Sequence, residues 1–115
     1  MTRDAIILVI DDDADLRHAL IEQFDLEEGF AAIGASDGAA GLTAADQHKP
    51  AAIVLDISLP DMDGFAACGA LRDQGVKAPI IMLTGAAQEE EQQVRGLDAG
   101  ANDYVLKPFK FSVLL

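Results

Sequence analysis

The sequence predicts one doubly wound α/β domain, in which five parallel strands alternate with covering helices. Apolar, β-rich runs recur at Ala5 to Ile10, Phe30 to Ala35, Ala51 to Leu55, Pro79 to Leu83 and Asn102 to Leu106, and segments with helical spacing lie between them. Three of the runs are almost wholly apolar rather than alternating, as expected where helices cover both faces of a parallel sheet. A chain of 115 residues, 50% of them hydrophobic, fills one core and is too short for two ordinary domains. Short strand-helix-strand connections wind right-handed, and the ligand site of such a domain belongs in the crevice at the carboxyl ends of its strands.

The elements follow in order. The first strand is stopped by Asp11-Asp12-Asp13, and the helix after it repeats Leu16, Leu20 and Phe24 every four residues, with Asp13 placed to cap it and Gly29 to terminate it. The third strand ends in Val54-Leu55-Asp56, and Pro60 and Gly64 set a turn before the third helix. The fourth strand leads into Thr84-Gly85, and Glu89-Glu90-Glu91 forms a solvated first turn of the fourth helix, favoured by the helix dipole. The fifth strand runs into Lys107-Pro108, where the proline holds the lysine backbone extended and allows a cis bond before it. The last helical segment, from near Phe109 to Leu115, has room for about two turns. For this fold that is a truncated last helix, so residues 1–115 are expected to be the N-terminal part of a longer protein.

Charge and cysteine content narrow the function. With 20 acidic and 8 basic residues the formal charge is -12, which disfavours direct contact with nucleic acid or an anionic membrane. The apolar run before Asp11 spans six residues, too few for a signal peptide or a membrane span. The lone Cys68 has no disulfide partner and no metal-ligand spacing, and reads as a small apolar helix residue in a reducing compartment. A cytoplasmic protein is expected. His18, on the polar side of the first helix, and His48, in a loop before Pro50, read as solvated.

The strong polar signals sit at strand ends. Where strands one and three are neighbours, as in the order 2-1-3-4-5, Asp11, Asp12 and Asp56 meet at one sheet edge and repel one another unless a hard cation joins them. Mg²⁺ suits oxygen ligands, keeps waters and accepts phosphate oxygens. A carboxylate beside it can act as a nucleophile toward a phosphoryl donor, and Asp56 is best placed to do so. Lys107 would supply a cation and Thr84 a hydroxyl donor to the transferred group. Alone, each of these residues has a bland reading, Asp11 to Asp13 as helix caps above all. Their joint placement at four strand ends argues for a site.

An acidic pair after strand one, an aspartate after strand three, Thr or Ser after strand four and Lys-Pro after strand five, in this order and over essentially the whole chain, resemble the receiver domain of two-component response regulators, the CheY-like superfamily. The resemblance implies a flavodoxin-like sheet in the order 2-1-3-4-5, an order that is the family's own rather than one given by the spacing. It implies Asp12 as a direct Mg²⁺ ligand, Asp11 acting through metal-bound water and Ser58 offering its carbonyl. Asp56 would be the phosphoacceptor, Thr84 the switch hydroxyl, Lys107 the phosphate-binding cation and Tyr104 the aromatic whose rotamer reports the state. Leu59-Pro60-Asp61-Met62-Asp63-Gly64 is similar to the loop after the phosphoacceptor, and no metal role is assigned to Asp61 or Asp63. Gly85 departs from the family's usual Ala, leaving room beside the phosphoryl group, and Ser58 and Ala86 stand where relatives tune dephosphorylation.

As such a switch the chain would take a phosphoryl group from a histidine kinase or phosphotransfer protein, shed it slowly by its own catalysis, and alter a surface of the fourth helix, fifth strand and fifth helix to control an output domain or partner. Val94 to Tyr104 looks like the matching segment of winged-helix transcriptional regulators, with Arg95, Asp98 and Asp103 as interface charges, which makes a homodimer through that surface an expectation. Gln93 and Asn102 stand where those relatives commonly carry charge. Other classes fit less well. A Mg²⁺-dependent phosphatase with an aspartyl nucleophile would need a second carboxylate where Ser58 stands, and a flavin carrier would meet Asp11 to Asp13 with its phosphate. Asp11, Asp13, Asp15 and Glu22 share the spacing of a calcium-binding helix-loop-helix, but Leu16 occupies the position that requires glycine.

Overall fold

Five strands, β1 (Ala5–Ile10), β2 (Phe30–Ala35), β3 (Ala52–Asp56), β4 (Ile80–Thr84) and β5 (Asp103–Leu106), form one parallel sheet in the order β2-β1-β3-β4-β5. Three helices, α1 (Ala14–Leu26), α2 (Gly38–His48) and α3 (Gly64–Asp73), connect the first four strands. The structure, a computed structural model, describes residues 5–84 and 103–106. The expected fourth helix and truncated last helix, with Gly85, Ala86, Gln93, Arg95, Asp98 and Lys107, lie outside the described residues.

The continuous apolar runs follow from burial on both faces. Side chains alternate across a strand, so Leu8, Ile10, Ile53, Leu55, Ile80 and Met82 join Phe65, Cys68 and Leu71 in the core beneath α2 and α3. Ile7, Val9, Val54 and Leu83 turn to the other face and meet Leu20 and Phe24 of α1. Full burial of each such aliphatic side chain contributes about 1.5–3 kcal/mol before chain entropy is counted. β2 lies at the sheet edge, and only Ala35 of its six residues is buried.

Several local expectations shift. Asp13 does cap α1, its carboxylate accepting from the Leu16 N–H at 3.1 Å. The helix ends at Leu26, however, where the Glu27 N–H donates to the Phe24 carbonyl at 3.1 Å. Gly29 falls beyond the cap, where the turn into β2 needs its φ of 89° and its carbonyl accepts from the Ala5 N–H at 2.8 Å. β3 and β4 each start one residue later than expected; at β4, Pro79 has no N–H to donate and contributes only its carbonyl, to the Ile53 N–H at 2.9 Å. His48 is the last residue of α2 rather than part of a loop, because Lys49 takes the left-handed conformation (φ 50°) that closes the helix. Both His18 and His48 are exposed, and no described helix is long and apolar enough to cross a membrane.

Candidate functional site

Register brings the acidic residues together. β1 and β3 pair with Ile10 opposite Leu55, so Asp11 and Asp56 are the next residues along adjacent strands. Both continue the alternation that points Val9 and Val54 toward α1. One carboxylate oxygen from each of Asp11, Asp12 and Asp56 lies within 4.8 Å of the other two. Asp11 is fully buried, Asp56 is 6% exposed and Asp12 faces solvent. Two unit charges that close repel by about 3–4 kcal/mol at an effective dielectric near 20. The fold itself offsets a little of this, since the Asp11 carboxylate accepts from the Asp13 N–H at 2.9 Å. A set of three oxygen donors, two of them withdrawn from water, fits a hard divalent cation.

The loop from β3 to α3 is held at several points. Asp56 is the last residue of β3, paired with Leu83, and the Ile57 N–H donates to the Leu83 carbonyl at 3.1 Å. Ser58 is exposed and pairs across the loop with Asp63, which also caps α3 by accepting from the Ala66 N–H at 2.7 Å. Gly64 is the first residue of α3 rather than part of a turn before it, and its N–H donates to the Ile57 carbonyl. A Cβ at residue 64 would stand 2.5 Å from the Asp56 carbonyl oxygen, so only glycine lets the helix start this close behind the acidic site.

Arg17 was not named from the sequence, and Asp61 was named only as part of the loop with no metal role. Arg17 donates from Nη1 to the Asp11 carbonyl at 2.8 Å, placing a guanidinium beside the acidic loop. Asp61 accepts from the Gly38 N–H at 2.8 Å and the Ala39 N–H at 2.9 Å, so a carboxylate from the β3–α3 loop caps α2. These amides hold the Asp61 carboxyl below its ordinary pKa. An aspartate in the turn preceding α3 was the available signal, but its partner lies 23 residues away in the chain.

β4 and β5 carry two further expected positions. Thr84 closes β4 opposite Leu106, and Tyr104 lies in β5 opposite Met82. The expected roles of the Thr84 hydroxyl, the Tyr104 ring and Lys107 concern groups outside the described ones.

The response regulator receiver domain family matches residues 7–115 of this sequence. The chain belongs to that family. The receiver domain is 47% identical over 104 residues to the alkaline phosphatase synthesis transcriptional regulatory protein PhoP of Bacillus subtilis, covering 90% of this chain and 42% of PhoP. It is 43% identical over the same length to the transcriptional regulatory protein KdpE of Mycobacterium tuberculosis, covering 90% of this chain and 45% of KdpE. The chain thus spans less than half the length of these relatives. Among solved structures, the receiver domain of the Francisella response regulator 1452 superposes with a TM-score of 0.87 at 32% identity, over 96% of this chain and 90% of that one.

Proposed function

We propose that this receiver domain is a phosphoryl-accepting switch in which Asp56 takes the phosphoryl group from the phosphohistidine of a histidine kinase or phosphotransfer protein. The observation that carries this reading is the convergence of the Asp11, Asp12 and Asp56 carboxylates within 4.8 Å at the carboxyl ends of β1 and β3. A carboxylate oxygen of Asp56 attacks phosphorus and forms the new P–O bond. The P–N bond to the donor imidazole breaks, its electron pair stays on the ring nitrogen, and an acyl phosphate results. Asp12, Asp56 and the Ser58 carbonyl would hold Mg²⁺ directly and Asp11 through water; when bound, the ion neutralises charge that builds on the transferred group. Lys107 and the Thr84 hydroxyl serve the remaining phosphate oxygens. Water returns the group to phosphate in a slower step at the same site.

The acyl phosphate adds about 1.5–2 negative charges. Contacts of Thr84 and Lys107 to that group, with Tyr104 following, would favour a second arrangement of the fourth helix, fifth strand and fifth helix, the surface for an output partner or a second copy. Relatives named as transcriptional regulatory proteins support a transcriptional output. The acidic domain would not itself contact DNA.

Incubation with acetyl phosphate and Mg²⁺, followed by intact mass, tests the assignment. The parent chain gains one phosphoryl group, while Asp56→Asn and the chelator-treated parent do not. Equal labelling of parent and Asp56→Asn would reject Asp56 as the acceptor.

A further inference from the structure

We propose that Asp61 is a positioning residue for the acidic site: it ties the loop that follows Asp56 to the N-terminus of α2 and thereby fixes where the Ser58 carbonyl stands. This rests on the metal site proposed above and names a residue outside it.

The tie is built from both partners. Each Asp61 oxygen takes one α2 amide, from Gly38 at 2.8 Å and Ala39 at 2.9 Å. Beside it the Met62 side chain covers Gly38, where a Cβ would stand 2.6 Å from the Met62 sulfur. The helix does not depend on Asp61 for its own start, because Asp37 supplies the local cap by accepting from the Ala40 N–H at 2.7 Å. The second carboxylate at this helix end therefore does something the local cap does not: it holds the loop. α2 is a firm anchor for it. Gly41 packs so closely on β1 that a Cβ there would stand 2.5 Å from Ile10 Cδ1, and Ile10 precedes Asp11. A closed path results, from Asp11 through Ile10 and α2 to Asp61, and back along the loop to Ser58 and Asp56. The Gly38 amide first and then the Ala39 amide lower the Asp61 pKa, as expected where a carboxylate accepts both bonds of the tie.

Outer groups that orient metal ligands typically contribute about 10–100-fold in metal affinity. The test is a Mg²⁺ titration of the whole chain, followed by the amide resonances of Asp11, Asp12 and Asp56 and by the initial rate of labelling from acetyl phosphate. Asp61→Ala is expected to raise the half-saturating Mg²⁺ about tenfold while leaving the rate at saturating Mg²⁺ within about twofold, with Asp61→Asn, which keeps one acceptor, in between. Asp37→Ala removes a carboxylate and a cap from the same helix end without releasing the loop. It should lower the denaturation midpoint as Asp61→Ala does and leave the Mg²⁺ response unchanged. Equal Mg²⁺ shifts in Asp37→Ala and Asp61→Ala would reduce the effect to charge or helix stability and overturn the proposal, as would no shift in Asp61→Ala. No Mg²⁺ response in the parent chain would overturn the metal site itself.

Discussion

Gly64 stands directly behind Asp56: a Cβ on residue 64 would lie 2.5 Å from the Asp56 carbonyl oxygen and 2.7 Å from the Ile57 Cα. Both are backbone atoms at the end of a central strand, so neither can yield as a flexible side chain would. Gly64→Ala should cost about 1–3 kcal/mol in urea denaturation, the usual penalty of overpacking. It should also slow labelling of Asp56, since the helix start and the acceptor must part. Gly69, in the same helix, has nothing within 4 Å of the corresponding position. Gly69→Ala should stabilise by about 0.5–1 kcal/mol through helix propensity alone.

Mutual repulsion within the acidic cluster predicts opposite effects with and without metal. Replacing Asp12 with Asn removes one of three carboxylates that lie within 4.8 Å. The metal-free domain should gain roughly 1 kcal/mol, read as a higher melting temperature. Saturating Mg²⁺ should stabilise the parent, by about 2.7 kcal/mol at one hundred times its Kd, and stabilise Asp12→Asn much less. Equal Mg²⁺ gains in both chains would remove Asp12 from the site.

Asp61 predicts a pH dependence with a definite sign. Its carboxyl is lowered from 3.8 by the Gly38 and Ala39 amides, so its folded pKa lies below its unfolded one. The stabilisation is then fully present above the unfolded value and is lost as pH falls through the folded value. The gap in urea midpoint between the parent and Asp61→Asn should be constant near neutrality and shrink below about pH 4.

Cys68, on α3, is fully buried in the core, and burial pushes its thiol above the ordinary value, with Arg72 opposing. A neutral, enclosed thiol is a poor nucleophile. Alkylation at pH 8 should be negligible in the folded chain and prompt in denaturant; rapid native labelling would contradict the packing.

Much of this architecture could be read along the chain because it depends on local pattern. β1 and β2 have the expected bounds, since apolar runs ended by Asp11 and by the polar residues after Ala35 leave little latitude. Asp11, Asp12 and Asp56 were legible as a group once the family resemblance supplied the strand order, and the β1–β3 register then carries those strand ends to one edge. What escaped depends on contacts between distant segments. Asp61 reads as a turn residue until α2 is laid beside it, and Gly64 reads as a turn glycine although its constraint is the nearness of Asp56. Arg17 went unnamed, because a bond to the Asp11 carbonyl leaves no trace in charge spacing.

The most direct test is a crystal structure of the chain grown with Mg²⁺ and beryllofluoride. One divalent ion held by Asp12 and Asp56 is expected, with beryllofluoride on a carboxylate oxygen of Asp56. An empty acidic pocket under those conditions, or beryllofluoride on another residue, would contradict it.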